Sequence, residues 1–116
     1  MWQLEPTTQW QRDQKWYAKK RPAELAAVLH NLQRFLDHLN VAPNSRAIQA
    51  GYLHPEPGGL LAIDQKGAGR KLPETRLYVY AHDATKVLYL ITIGNKATQA
   101  SDLRLARKFV ESLPHA

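Results

Sequence analysis

Two strand-like runs near the end of the chain lie so close together that they restrict the fold more than any other feature. Residues 76–82 and 86–93 are rich in Tyr, Val, Ile and Leu, and only Asp83, Ala84 and Thr85 separate them. Residues of these types favour β-strands. A connection this short can join two strands only in antiparallel orientation, because a parallel pair needs a crossover of about a dozen residues or more. The fold must therefore contain an antiparallel hairpin.

Helical periodicity dominates the first third of the chain. Pro22 suits the first position of a helix, and apolar residues then recur at three- and four-residue steps over about four turns. The residues of this stripe are Leu25, Val28, Leu29, Leu32, Phe35, Leu36 and Leu39. A shorter helix is predicted from about Gln9 to Lys20, with Thr7 or Thr8 as its cap. The sequence thus predicts a helix pair before the hairpin.

The remaining segments complete an α+β order. Residues 2–4 alternate and stop before Pro6, which favours a short edge strand. Residues 40–59 hold three prolines and three glycines and predict a long irregular connection, whereas residues 60–64 predict a strand. Ser101 is predicted to cap a last helix. We therefore predict one domain over residues 1–116: an antiparallel sheet with an N-terminal helix pair and a C-terminal helix, in the order strand, helix, helix, three strands, helix.

The charge of the chain is unevenly distributed. Sixteen Lys and Arg against ten Asp and Glu give a formal net charge of +6. Residues 12–21 carry five positive charges and one negative, and residues 66–76 carry four and one. A small protein this basic is typical of those that meet a polyanion, either nucleic acid or an acidic protein partner. We expect such a polyanion to lie against the sheet that Arg76 enters.

Several function classes are excluded or disfavoured by composition. The chain has no cysteine, which excludes disulfides, thiolate zinc sites and cysteine nucleophiles. The longest apolar stretch, residues 87–93, is far shorter than the roughly 20 residues that cross a bilayer. The N-terminus has no basic region followed by an apolar run. We expect a cytoplasmic protein without a membrane partner.

Alternation on the strand that begins at Arg76 places one set of polar side chains together. Arg76, Tyr78, Tyr80 and His82 point to one face of the sheet. Aromatic rings can stack RNA bases, and a guanidinium can hold phosphate in a bidentate fork. The alternative is that the tyrosines pack at the sheet edge and Arg76 is solvated, because Tyr is a common strand residue.

A glycine-punctuated loop precedes this strand and holds Lys66, Arg70 and Lys71. Glycines allow backbone to approach a phosphate closely, and the side chains supply positive charge. A flexible, solvated loop has the same composition. The spacing differs from that of a P-loop, because the terminal Lys-Ser/Thr is absent.

The histidines are candidates for proton transfer rather than metal binding. No pair has the spacing of zinc ligands, so we expect no metal and no cofactor. His54 and His82 are the candidates, since histidine titrates near neutral pH; each is otherwise an ordinary surface histidine. Any cleavage of nucleic acid would then proceed without metal.

A family resemblance begins at Thr75. Residues 76–80 form an Arg-led strand, residues 86–96 form an aliphatic strand that ends at a basic residue, and Gln99 with residues 101–103 opens a helix. This succession resembles the RelE/ParE toxin superfamily of bacterial type II toxin–antitoxin systems. The segment around Lys96 and Gln99 is most similar to the HigB and phage-derived branch.

The resemblance implies a microbial-ribonuclease-like fold and metal-independent cleavage of mRNA, with or without the ribosome, in a protein neutralised by a cognate antitoxin. The ribose 2′-hydroxyl would attack the adjacent phosphorus, leaving a cyclic phosphate and a 5′-hydroxyl. Arg76 matches the family's phosphate-binding arginine, and Lys96 would hold the phosphate from the other side. Lys66, Arg70 and Lys71 match basic residues beside the sheet.

The sequence also departs from this family at one functional position. Members of the RelE branch often have a Tyr at the start of the last helix for proton transfer, where this chain has Gln99 and Asp102. His54, His82 or Asp102 would have to substitute, which leaves the general acid and base open. Two alternatives therefore remain: a ParE-like toxin that inhibits DNA gyrase and cleaves nothing, and a non-toxic domain that binds RNA or a protein partner.

Overall fold

A computed structural model describes residues 1–114 and shows an α+β fold, as predicted. Within these residues, three α-helices accompany five strands. The strands are β1 (Gln3–Pro6), β2 (Leu53–Pro55), β3 (Leu60–Ile63), β4 (Thr75–His82) and β5 (Val87–Asn95). The helices are α1 (Thr8–Lys20), α2 (Pro22–Val41) and α3 (Gln99–Glu111). No helix of the described residues has the length and apolarity needed to span a membrane.

The helix pair begins and turns as its sequence predicts. Thr7 caps α1: its hydroxyl oxygen accepts the Trp10 N–H at 3.0 Å and donates to the Ile91 carbonyl at 2.8 Å. The cap therefore also ties the start of α1 to β5. Arg21 ends α1 by donating its N–H to the Tyr17 carbonyl, and Pro22 occupies the first turn of α2, where its missing N–H costs nothing.

The sheet is mixed rather than antiparallel throughout. Its order is β1-β5-β4-β3-β2, and β1 runs parallel to β5, with Gln3 opposite Val87 and Pro6 opposite Leu90. The other three pairings are antiparallel. The predicted antiparallel arrangement holds for β2 to β5, and β1 adds a parallel strand at one edge. The helix pair carries the chain from β1 at one edge of the sheet to β2 at the other edge. The strand that pairs with β1 comes much later in the chain, so the sequence near β1 does not determine its direction.

Both faces of the sheet are covered by helices, which gives two cores. One face packs against α1 and α2 through residues such as Trp10, Phe35, Leu77 and Ile93. The opposite face packs against α3, and that smaller core contains Leu60, Ala62, Tyr78, Ile91, Ala106 and Val110. We refer to this second side as the α3 face. Its contents show that the side of β4 carrying Arg76 is partly interior.

Two local predictions were wrong. Residues 40–59 are not wholly irregular, because they contain β2 and two short 3₁₀ turns, Ser45–Ala47 and Pro57–Gly59. Ser101 does not cap α3: the helix begins at Gln99, after a 3₁₀ turn at Lys96–Thr98, and the Ser101 hydroxyl donates to the Thr98 carbonyl. That 3₁₀ turn is itself closed by reciprocal hydrogen bonds between Asn95 and Thr98.

Gly94 is predicted to be essential to the junction between β5 and α3. A methyl group at this position would collide with the Asp102 carboxylate and the Thr98 hydroxyl. Gly94→Ala should therefore lower the free energy of unfolding by about 1–3 kcal/mol, measured by chemical denaturation. Gly51→Ala is the matched control, because a methyl there meets open space. Equal stabilities of the two variants would contradict the prediction.

Candidate active site

A group of polar side chains lies on the α3 face, toward β2 and β3. Ala62 belongs to the α3-side core, and His54 is its cross-strand partner. Because alternate residues of a strand share a face, Arg76 precedes Tyr78 on this same side. Asp64 follows the end of β3 and contacts His54. Glu56 follows His54 by two residues. We call His54, Glu56, Asp64, Glu74 and Arg76 the His54–Arg76 cluster.

His54 is oriented by a buried carboxylate. Its Nε2 lies 2.6 Å from Asp64 Oδ2. A carboxylate only accepts hydrogen bonds, so Nε2 carries the hydrogen in this contact and Nδ1 is the nitrogen that remains for proton transfer. A carboxylate partner of this kind fixes both the tautomer and the orientation of an imidazole, as general acid–base chemistry requires.

Asp64 is held in turn by groups from two other segments. Its Oδ1 accepts the Lys66 N–H at 2.8 Å, and the Lys66 ammonium lies 3.7 Å from its Oδ2. The amide of Asn31, from α2, donates to the main-chain carbonyls of Asp64 and Lys66 at 2.8 and 2.9 Å. The dyad of His54 and Asp64 is therefore anchored to the helix behind the sheet.

Arg76 is paired with two carboxylates. Its Nε lies 2.9 Å from Glu74 and its Nη1 lies 3.3 Å from Glu56. Glu56 sits at the Leu60 end of β3, to which its N–H is bonded, whereas Arg76 neighbours the Ile63 end. The side chain of Arg76 therefore runs along β3 toward Glu56, on the face that carries His54. A guanidinium, a carboxylate and an oriented imidazole thus share one patch.

Tyr78 does not have the exposed position expected of a base-stacking residue. Only 1% of its surface is exposed, because α3 covers it. Burial, and then the Asp102 charge, raise the pKa of Tyr78 to about 12. The prediction that Tyr78 stacks on RNA is therefore wrong, since strand alternation identified its face and could not show that a helix packs there.

Asp102 is the acidic candidate for proton transfer at the start of the last helix. It lies in the first turn of α3 above Gly94, and its Oδ2 accepts the Thr98 hydroxyl at 2.7 Å. Burial raises the pKa of Asp102 above its ordinary value, and the charge of Asp13 acts in the same direction. Its charge also reaches Tyr78, so Asp102 adjoins the cluster from the α3 side.

Tyr80 and His82 lie toward the other end of β4. Their rings are 6.4 Å apart, and His82 Nδ1 lies 2.7 Å from the Thr85 hydroxyl in the hairpin loop. Both residues are partly exposed and line a cavity of about 880 Å³, together with Glu56. His82 is six residues from Arg76, which is roughly 20 Å along a strand. The structure therefore keeps His82 far from Arg76 but places it in the same cavity as Glu56.

The predicted phosphate-binding cations separate into two groups. Lys66 and Arg70 line a cleft against Ala23, Ala27 and His30 of α2, although the Lys66 ammonium also lies 3.7 Å from Asp64 of the cluster. Lys71 is exposed in the same loop. Lys96 is also exposed and stands two residues beyond Gly94, the cross-strand partner of Arg76. Of these cations, Lys96 is the one that the sheet register keeps near Arg76.

The His54–Arg76 cluster can orient an imidazole, bind an anion and accept a proton. Within residues 1–114, no group of three His, Asp or Glu side chains is placed to hold a metal ion. No family model matches the chain, and no curated protein is significantly similar to it. The function must therefore be argued from these residues and from the resemblance in the sequence.

Asn31 is predicted to support the site through the loop that follows β3. Asn31→Ala removes both hydrogen bonds to the carbonyls of Asp64 and Lys66, and should cost about 2–3 kcal/mol of folding free energy because the carbonyl groups lose buried partners. Urea denaturation measures the loss. Gln33→Ala on the exposed side of α2, where the side chain bonds only Asp37, is the control and should be nearly neutral.

Asp102 predicts a pH dependence of stability. Its pKa in the folded protein is raised above the ordinary value of 3.8, so the folded state binds this proton more tightly than the unfolded state. The resulting stabilisation is present at low pH and is lost as the pH rises through the raised pKa. Asp102→Asn keeps an acceptor for Thr98 and cannot ionise, so its stability relative to wild type should increase as the pH rises from about 4 to 7. A pH-independent difference would contradict this prediction.

Proposed function

We propose that this protein is a RelE/ParE-type toxin of the HigB-like branch that cleaves mRNA without a metal ion. The observation that carries the proposal is the placement of the oriented His54 beside the ion pair of Glu56 and Arg76 on one sheet face. Attack by a ribose 2′-hydroxyl needs a proton acceptor, a proton donor and a stabiliser of phosphate charge. The cluster contains one residue suited to each task.

In the proposed reaction, Glu56 accepts the proton of the ribose 2′-hydroxyl while the 2′-oxygen forms its bond to phosphorus. Arg76 holds the non-bridging oxygens, whose charge increases in the transition state. Protonated His54 donates to the 5′-oxygen as the bond from phosphorus to that oxygen breaks. The products are a 2′,3′-cyclic phosphate and a 5′-hydroxyl end. Asp64 keeps the imidazole in position throughout.

The two carboxylates around Arg76 have different accessibility, which suits substrate binding. The Glu74 side chain is 37% exposed and the Glu56 side chain is 15% exposed. A phosphate can therefore displace Glu74 into solvent while Glu56 stays beside the guanidinium. Lys96 would supply further positive charge from the start of α3. The proposal requires a cytoplasmic protein. An acidic or helical segment of a cognate antitoxin that lies over this face would block access of RNA to the cluster.

One observation favours a second candidate function, a ParE-like gyrase inhibitor that cleaves nothing. The charge of Arg76 is already balanced by Glu56 and Glu74. Binding of phosphate must therefore disrupt an existing ion pair, which weakens any hold on RNA. A protein partner that uses the same surface would meet no such competition.

We predict that His54→Ala and Arg76→Ala each reduce RNA cleavage by at least about 100-fold, since general acid–base and electrostatic groups contribute on this scale. Lys96→Ala should lower cleavage about tenfold, because an exposed cation contributes less. Cleavage of single-stranded RNA in the presence of a chelator is measured, together with the cyclic phosphate on the product. His38→Ala, at an exposed position of α2, is the matched histidine control and should cleave as wild type does.

Induced expression tests the same proposal in bacterial cells. Wild type should arrest growth, and the variants at His54 and Arg76 should not. If purified wild-type protein inhibits gyrase supercoiling and leaves RNA intact, the second candidate replaces the first. If it neither arrests growth nor cleaves RNA, the nuclease proposal is wrong.

A further inference from the structure

The outer side of α1 carries a stripe of basic residues around an exposed tryptophan. Its members recur at three- and four-residue steps, which places them on one face of the helix, and all of them are exposed. We call this surface the α1 basic stripe; it consists of Arg12, Lys15, Trp16, Lys19 and Lys20. The opposite side of α1 is turned inward and presents Trp10 and Tyr17 to the core.

No carboxylate of α1 interrupts this stripe. Asp13 is the single acidic residue of the helix, and it lies on the inward side. Its Oδ2 accepts the Thr92 hydroxyl at 2.6 Å and lies 3.4 Å from the Ile93 nitrogen. The five positive charges of residues 12–21 are therefore not interspersed with negative charge on the surface of the helix. The charged side chains on the outward side of α1 are therefore all cations.

Trp16 is fixed in position and yet largely uncovered. Its ring contacts the Tyr17 ring in an edge-to-face arrangement, with centroids 5.0 Å apart. Trp16 is nevertheless 52% exposed, whereas Trp2 and Trp10 are 8% and 4% exposed. An aromatic ring that is held in place among cations can stack on a flat π-system with little loss of conformational freedom.

The stripe continues toward the second basic segment of the chain. α1 ends at Lys20, α2 begins at Pro22, and the first turns of α2 form a cleft of about 390 Å³ with Lys66 and Arg70. The two segments that hold the excess charge therefore meet at the N-terminal end of α2. The α1 basic stripe belongs to the α1 and α2 side of the sheet, and Lys66 is the residue of the adjoining cleft that also reaches Asp64 of the His54–Arg76 cluster.

We propose that the α1 basic stripe is a second, non-catalytic docking surface for single-stranded RNA, with a base stacked on Trp16 and phosphates held by the flanking cations. Unpaired nucleic acid offers both features of the stripe their partners, because it has negative charge and exposed aromatic faces. An acidic peptide would bind the cations but would offer no stacking partner to the indole of Trp16. The choice of RNA over DNA rests on the proposed function.

Trp16 provides the probe for this inference, because the other two tryptophans are buried. Full-length protein is titrated with a short 2′-O-methyl oligouridylate, which lacks the attacking hydroxyl and so is not cleaved. We expect quenching of tryptophan fluorescence and protection of Trp16 from iodide. Binding should weaken with salt, and each phosphate contact contributes about 0.7 to the slope of log affinity against log salt.

Variants then locate the binding surface. Lys15→Glu combined with Lys19→Glu should weaken binding at least about tenfold and reduce the salt slope, and Trp16→Ala should weaken it at least about fivefold. Binding by the variants is measured as the fluorescence anisotropy of an end-labelled oligonucleotide, because Trp16→Ala removes the tryptophan probe. The matched control is Arg104→Glu combined with Arg107→Glu on the exposed side of α3, which changes the same charge at the other face. Circular dichroism melting checks that all variants fold.

The outcomes separate this inference from the proposed function. Binding that is lost in the α1 variants and kept in the α3 control supports the docking surface, whether or not the protein cleaves RNA. RNA cleavage by a protein whose α1 variants bind as wild type does would overturn the docking surface and leave the nuclease standing. Equal protection of Trp16 by poly-glutamate would overturn RNA as the occupant in favour of an acidic protein. Equal affinity for the matching oligodeoxynucleotide would overturn the assignment to RNA.

Discussion

Asp64 is a buried charge, and much of the structure around it is arranged to satisfy that charge. An uncompensated carboxylate in the interior is costly, so its partners are structural requirements. His54 supplies one from β2, and Lys66 supplies another from the basic loop. Asn31 of α2 holds the adjoining main chain in place. A strand of only three residues is thereby fixed to the sheet and to the helix behind it. The orientation of His54, on which any proton transfer depends, follows from the same requirement.

The elements that the sequence predicted well are those stabilised by local interactions. The periodic stripe of α2, the Thr7 cap and the short hairpin connection each lie within a few residues of what they determine. The direction of β1 and the position of α3 depend instead on contacts between distant segments. Alternation correctly placed Arg76 and Tyr78 on one face of β4. Alternation could not show that this face is also a core. When helices cover both sides of a sheet, both faces are partly apolar, so the more polar face of a strand need not be the solvent side.

The site was recoverable from the sequence to a similar extent. His54 and Arg76 were among the predicted residues, whereas Glu56, Asp64 and Glu74 were not. Their meeting depends on strand register, which brings together residues 8 to 22 positions apart in the chain. The spacing of His54 and Glu56 is a strand signal, but Pro55 and Pro57 made the segment resemble a loop. The basic loop was expected beside Arg76, and the structure places its Lys66 and Arg70 against α2 instead.

The parallel pairing of β1 with β5 has a consequence for the order in which the molecule is completed. β1 is synthesised well before its partner, residues 87–90, because two helices and three other strands lie between them in the chain. The Thr7 hydroxyl that caps α1 can likewise donate its hydrogen bond to the Ile91 carbonyl only after Ile91 has been synthesised. Closure of the sheet across such a separation is a late step. Until residues 87–90 have been synthesised, a nascent chain therefore lacks the strand with which β1 pairs.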